Sequence, residues 1–140
     1  MTTHYDPDNI FARILRGEAP CFKVFEDDMT LSFMDVMPQS EGHVLVLPKE
    51  SAAQIFELSE AATLACTTVV RRLSIAVRAA LAPTGLVVAQ FNGSDAGQTV
   101  PHVHFHIIPR WASAPLAPHA RVMADPVRLE EVAAKIRAQL

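Results

Sequence analysis

Pro101-His102-Val103-His104-Phe105-His106-Ile107-Ile108 alternates imidazoles with apolar side chains. Successive side chains of an extended strand point to opposite faces. The stretch is therefore predicted to be a strand, with His102, His104 and His106 on one face. Val103, Phe105 and Ile107 would point the other way, into a core. Three of the six histidines of the chain stand here. Each imidazole has an unperturbed pKa of about 6.5, so each can serve as nucleophile, acid or ligand near neutrality.

Outward from this strand the pattern stays readable. Residues 93–99 form a polar loop with two glycines, and residues 86–92 before it are β-rich and apolar. A long helix is predicted over 59–81, capped by Ser59, buried through Leu64, Leu73, Ile75, Val77 and Leu81, and ended by Pro83-Thr84-Gly85. Further back lie an apolar strand at 43–47 ended by Pro48, a loop at 38–42, and strands near 22–25 and 31–35. Asp6-Pro7 is predicted to cap a short helix carrying Ile10, Phe11, Ile14 and Leu15, with Gly17 as its stop. Downstream, residues 109–125 hold Pro109, Pro115 and Pro118 and are predicted to be irregular. Asp125-Pro126 then caps a terminal helix with Leu129, Val132, Ile136 and Leu140 on one side. Runs of strands interrupted by one long helix give an α+β fold: an antiparallel sheet with helices on one face.

Composition narrows the class. A chain of 140 residues, 50% hydrophobic, is read as one domain spanning 1–140. The net charge of −3 argues against a nucleic-acid backbone binder. Arg71-Arg72 is the only adjacent basic pair and is expected on a solvated helix face. Cys21 and Cys66 fit no CxxC pattern and read as small apolar residues of a reducing compartment. The segment Met1-Thr2-Thr3-His4-Tyr5-Asp6 has no basic region leading into an apolar run, so no secretory signal is read there. No stretch approaches the ~18 apolar residues of a membrane span. A cytoplasmic protein without membrane contact is expected.

Three uses of the alternating histidines compete. They could line an exposed sheet face without chemistry. Two of them at i and i+2 could hold zinc or iron with a third ligand from elsewhere, the outer pair being ~13 Å apart along a strand. Or one imidazole could attack an electrophile while its neighbours fix its tautomer. Phosphorus suits the last use, because the resulting N–P bond is labile to water. Gly93, Gly97, Gln98 and Thr99, just upstream, offer backbone and side-chain donors to phosphate oxygens. Neither GxxxxGK[ST] nor GxGxxG occurs.

These residues resemble the histidine triad (HIT) family of nucleotidyl hydrolases and transferases. His102-Val103-His104-Phe105-His106-Ile107-Ile108 matches its His-φ-His-φ-His-φ-φ signature, where φ is apolar. Asn92-Gly93-Ser94-Asp95-Ala96-Gly97-Gln98-Thr99-Val100 is similar to its phosphate loop. Ile10-Phe11, Arg16-Gly17-Glu18-Ala19-Pro20, Phe25-Glu26-Asp27 and Gly42-His43-Val44-Leu45-Val46-Leu47-Pro48-Lys49 resemble its N-terminal blocks in order. The likeness covers a core of about residues 9–110, leaving 111–140 as a C-terminal extension.

The resemblance implies a HIT-like sheet of about five strands and a set of roles. His104 would attack the α-phosphorus of a nucleotide and carry a covalent nucleotidyl intermediate. His102 would orient it, His106 would contact phosphate, and His43 would complete the site by bonding His102. Gln98 and Thr99 would meet the α-phosphate and leaving group, with Gly97 and Asn92 beside them. Asp35 would accept the ribose hydroxyls, as a carboxylate can from a vicinal diol. Ile10, Phe11, Ile14, Phe33, Val36 and Leu45 would form the slot for a purine base; the other reading of these apolar residues is ordinary core.

The pattern departs from the family in two places. Some bacterial relatives hold a structural zinc through a CxxC and a later histidine. The matching positions here are Asn9, Ala12 and Ser51, so no metal and no cofactor are expected. The segment after Arg110 differs from the short tail of the phosphoramidase branch, and Trp111 and the helix over 127–140 could modify substrate access or dimer contacts. The family resemblance further implies a homodimer through 59–81 and 86–92. The expected activity is hydrolysis of purine nucleoside phosphoramidates or adenylated conjugates. Dinucleoside polyphosphate hydrolysis is the nearest alternative, and a nucleotide-binding regulatory protein with vestigial activity is the alternative of another class.

Overall fold

The computed structural model describes residues 4–117 and 121–140. Residues 1–3 and 118–120, Pro118 among them, lie outside the described residues. Five strands form one antiparallel sheet: β1 (Lys23–Glu26), β2 (Thr30–Met34), β3 (Val44–Pro48), β4 (Gly85–Gln90) and β5 (Phe105–Arg110). Their order across the sheet is β1-β2-β3-β5-β4. The helices are α1 (Ile10–Leu15), α2 (Glu60–Leu81) and α3 (Pro126–Arg137). This is the expected α+β architecture.

The helices do not share one face. Val44 and Val46 of β3 and Phe105 and Ile107 of β5 pack with Leu73 and Val77 of α2 and Val132 and Ile136 of α3. The alternate residues, Leu45 and Leu47, join Leu31 and Phe33 of β2 against Phe11 of α1 on the other side. β2 and β3 are buried at every position, which requires cover on both faces. Expecting all helices on one side missed this requirement.

The cap of α2 is as read: Ser59 Oγ accepts the Ala62 N–H at 3.1 Å. Its buried stripe differs. It runs Ala62, Cys66, Val69, Val70, Leu73, Ala76 and Val77, in helical steps of three and four. Leu73 and Val77 were expected there; Leu81 is only half-buried. Leu64 and Ile75 are 59% and 55% exposed. Each sits two residues past a buried position, a rotation of about 200° that turns it outward. Arg71 and Arg72 are exposed, as expected. At α1 the cap is Asn9 rather than Asp6-Pro7, its Oδ1 accepting the Ala12 N–H at 2.9 Å. Gly17, at φ +78°, follows the helix end. Asp125 caps α3 and Leu129, Val132 and Ile136 are buried, but Leu140 lies past the helix and is exposed.

The strand carrying the histidines starts later than its alternation suggests. β5 begins at Phe105, and His102 and His104 precede it. Pro101 has no N–H to give a ladder, and the Val103 N–H donates to Ala52 O at 2.9 Å, outside the sheet. Val103 still fills the main core. Within the sheet, Phe33 pairs with Leu45, Leu45 with His106, and His106 with Ala89. That row across four strands sets His106 beside apolar side chains on the α1 face.

Candidate active site

All three triad histidines are buried, and their partners fix their tautomers. His104 Nδ1 lies 2.7 Å from His102 O. A carbonyl only accepts, so Nδ1 carries the proton and the lone pair of the neutral ring is on Nε2. His102 Nε2 lies 2.8 Å from Pro48 O, so it donates there. His102 Nδ1 is then the acceptor, and it takes the Tyr5 hydroxyl at 2.6 Å. Burial pushes the His102 pKa down, with the Pro48 carbonyl opposing, so the neutral ring is favoured.

A second chain of bonds ends at His106. The Gln39 N–H donates to His43 Nδ1 at 3.1 Å. In the neutral ring the His43 proton is therefore on Nε2, which lies 2.9 Å from His106 Nδ1. His106 then carries its own proton on Nε2. The Asp35 carboxylate stands 3.5 Å from His43 Nε2. Gly42, at φ +91°, makes the turn before His43, where a Cβ would collide with the Leu81 side chain. The expected bond from His43 to His102 is not formed. Leu45 pairs with His106, so His43, two residues earlier, lies diagonally beside it. His102 sits instead at the far end of β3, on Pro48.

His104 and His106 open onto a cleft of about 310 Å³. The six slot residues, Ile10, Phe11, Ile14, Phe33, Val36 and Leu45, all line it. So do Asp35 and Thr99. The Phe11 ring stands edge-on to His104 with centroids 4.9 Å apart, and edge-on to Phe33 at 5.5 Å. An apolar slot thus runs directly up to the central imidazole. Asp35 Oδ1 accepts the Met37 N–H at 2.9 Å, which orients the carboxylate in the wall.

The glycine loop is built by the side chains expected to touch phosphate. Gln98 Oε1 accepts the Gly93 N–H at 2.7 Å, and its Nε2 donates to Ala53 O and Val100 O at 2.7 and 2.9 Å. Asn92 Oδ1 accepts the Ile55 N–H at 2.7 Å, and its amide exchanges bonds with Gln90. Gly97 is exposed at φ +101°, a conformation that suits glycine. Gln98 and Asn92 therefore shape the loop, while Thr99 faces the cleft.

Among the described residues, Asp35, His43 and His106 could hold a metal ion, with donor atoms within 4.8 Å of one another. The direct His43–His106 bond would have to break to admit one. Asn9 and Ala12, the positions the resemblance matches to a zinc-binding CxxC, offer no such pair: Asn9 caps α1 through the Ala12 N–H, and Ala12 has no donor side chain.

Several contributors were missed in the sequence. Tyr5 precedes the first recognised block. Phe91 places its ring 5.3 Å from that of His106. Gln39 and Pro48 act through backbone atoms, which leave no residue-type signal. Cys21, Ala19 and Pro20 line the cleft next to the Arg16-Gly17-Glu18 turn.

The HIT domain profile matches residues 16–112. An adenosine 5'-monophosphoramidase of Schizosaccharomyces pombe is 38% identical over 138 residues, covering 91% of this chain and 98% of that protein. An adenylylsulfatase of Arabidopsis thaliana is 38% identical over 119 residues, covering 81% of this chain and 60% of that one. The crystal structure of a HIT-like protein from Bartonella henselae superposes with a TM-score of 0.93 at 40% identity, covering 99% and 100% of the two chains. The chain belongs to the histidine triad (HIT) family.

Proposed function

We propose that this protein hydrolyses purine nucleoside phosphoramidates or adenylated conjugates at the α-phosphorus, with His104 as nucleophile. One observation carries the reading: the His104 Nδ1–H on the His102 carbonyl at 2.7 Å puts the ring's lone pair on Nε2, beside the apolar cleft. Attack by Nε2 expels the amine and leaves a nucleotidyl-imidazolium. Its positive charge strengthens the Nδ1–H bond to the carbonyl, an interaction larger in the transition state than in the ground state. The leaving amine takes up a proton from solvent. Water then attacks phosphorus, releases a nucleoside monophosphate and a proton, and restores neutral His104. His106 Nε2–H donates to a phosphate oxygen during both steps, and Asp35 accepts the ribose hydroxyls.

The relatives support this reading. One relative is named an adenosine 5'-monophosphoramidase and another an adenylylsulfatase, names that differ in the group released and share an adenylyl moiety. No described helix is long and apolar enough to cross a membrane. A homodimer through α2 and edge strand β4 belongs to the same proposal. It is supported by exposed Leu64 and Ile75 on one stripe of α2 and exposed Val87 and Val88 on β4. Steady-state turnover of adenosine 5'-phosphoramidate tests the activity. Wild type is expected to release AMP and ammonia, and His104→Ala to lose at least 1000-fold in kcat. Equal rates in the two proteins would remove the assignment.

A further inference from the structure

Tyr5 lies before α1, outside residues 16–112 that match the family. Short bonds hold the segment around it. Asn9, buried at the start of α1, donates its Nδ2–H to Asp6 O at 2.7 Å. Arg16 Nη1 donates to Pro7 O at 2.7 Å. The half-buried Tyr5 is thereby laid edge-on against His102, with ring centroids 5.7 Å apart.

The His102 ring is pinned at both ends, by the Tyr5 hydroxyl on Nδ1 and by Pro48 O on Nε2. The same residue's carbonyl holds the Nδ1–H of His104. We propose that Tyr5 is a positioning residue of this site: by fixing the His102 ring it fixes the carbonyl that keeps His104 in its Nδ1–H tautomer. This rests on the nucleophilic reading of His104. Tyr5 lines a second pocket, separate from the cleft, whose charged residues are Arg16 and Lys49. Arg16 is paired with Glu18 and Lys49 with Glu26, and His102 Nδ1 takes its bond from the Tyr5 hydroxyl. Without that hydroxyl, a buried ring nitrogen loses its hydrogen bond, and the ring must rotate or change tautomer to recover one.

The test compares wild type with Tyr5→Phe, which keeps the edge-on ring and removes only the hydroxyl. Ring 15N–1H correlation spectra of 15N-histidine-labelled protein are recorded beside kcat and KM for adenosine 5'-phosphoramidate. Wild type should show His102 protonated at Nε2 and His104 at Nδ1. Tyr5→Phe should mix the His104 tautomers and lower kcat about tenfold with KM nearly unchanged. Unchanged His104 resonances, or unchanged kcat, would overturn the positioning role. If wild type fails to cleave the phosphoramidate, the hydrolase reading falls separately, and the His104 spectrum alone decides the role of Tyr5.

Discussion

His43 Nε2 donates to His106 Nδ1 at 2.9 Å across 63 residues of chain, and the Gln39 N–H on His43 Nδ1 sets the direction of that bond. The backbone at Gln39 thus dictates which nitrogen of His106 bears the proton. His43→Ala deprives His106 of its donor and opens a cavity beside it. A loss of about 2–3 kcal/mol in urea-derived stability is expected, with about a tenfold fall in kcat. Unchanged turnover in a folded His43→Ala protein would mean that the orientation of His106 does not matter.

Burial of neutral His102 makes stability depend on pH. Its folded pKa lies below the usual 6.5, so below that pH the unfolded chain binds the proton more readily. The contribution is complete above about pH 6.5 and declines as pH falls toward the folded pKa. The stability advantage of wild type over His102→Asn should therefore shrink between pH 7.5 and 5.5 in urea titrations. An advantage that grows on acidification would show His102 to be charged in the fold.

The cleft can be probed through its cysteine. Cys21 lines it, with a thiol raised by burial. Cys66 is fully buried and pushed up to about 12, so it should resist alkylation until the protein unfolds. Saturating AMP should slow iodoacetamide labelling of Cys21 severalfold, read by peptide mass spectrometry. Labelling at the same rate with and without AMP would place the nucleotide elsewhere.

The exposed apolar side chains of α2 and β4 bear on assembly. Light scattering after size exclusion should give a species near twice the 15.3 kDa chain, and Val88→Glu together with Ile75→Glu should yield the monomer. A wild-type monomer at micromolar concentration would refute the dimer.

What could be read in the sequence was local. Ser59 and Asp125 announce helix starts through side chains that accept nearby N–H groups. Val103, Phe105 and Ile107 reach the core as their alternation requires, and the six slot residues do converge on one cleft. Cross-strand register was not legible, because spacing within one strand says nothing about its offset from another. The family resemblance implies a bond from His43 to His102, whereas β3 pairing brings His43 to His106. Leu64 and Ile75 read as core by their apolar side chains, although the helical period turns them outward. Asp6 and Asn9 are both cap formers; only the structure shows that Asn9 takes the Ala12 N–H.

The central claim is a bond between His104 Nε2 and phosphorus. Wild type and His104→Ala would be mixed with adenosine 5'-phosphoramidate labelled at its phosphorus, quenched in base within one turnover, and digested for mass spectrometry. The expected result is a base-stable, acid-labile nucleotidyl group on His104 of wild type and none on the variant. No adduct on wild type, or an undiminished adduct on His104→Ala, would contradict it.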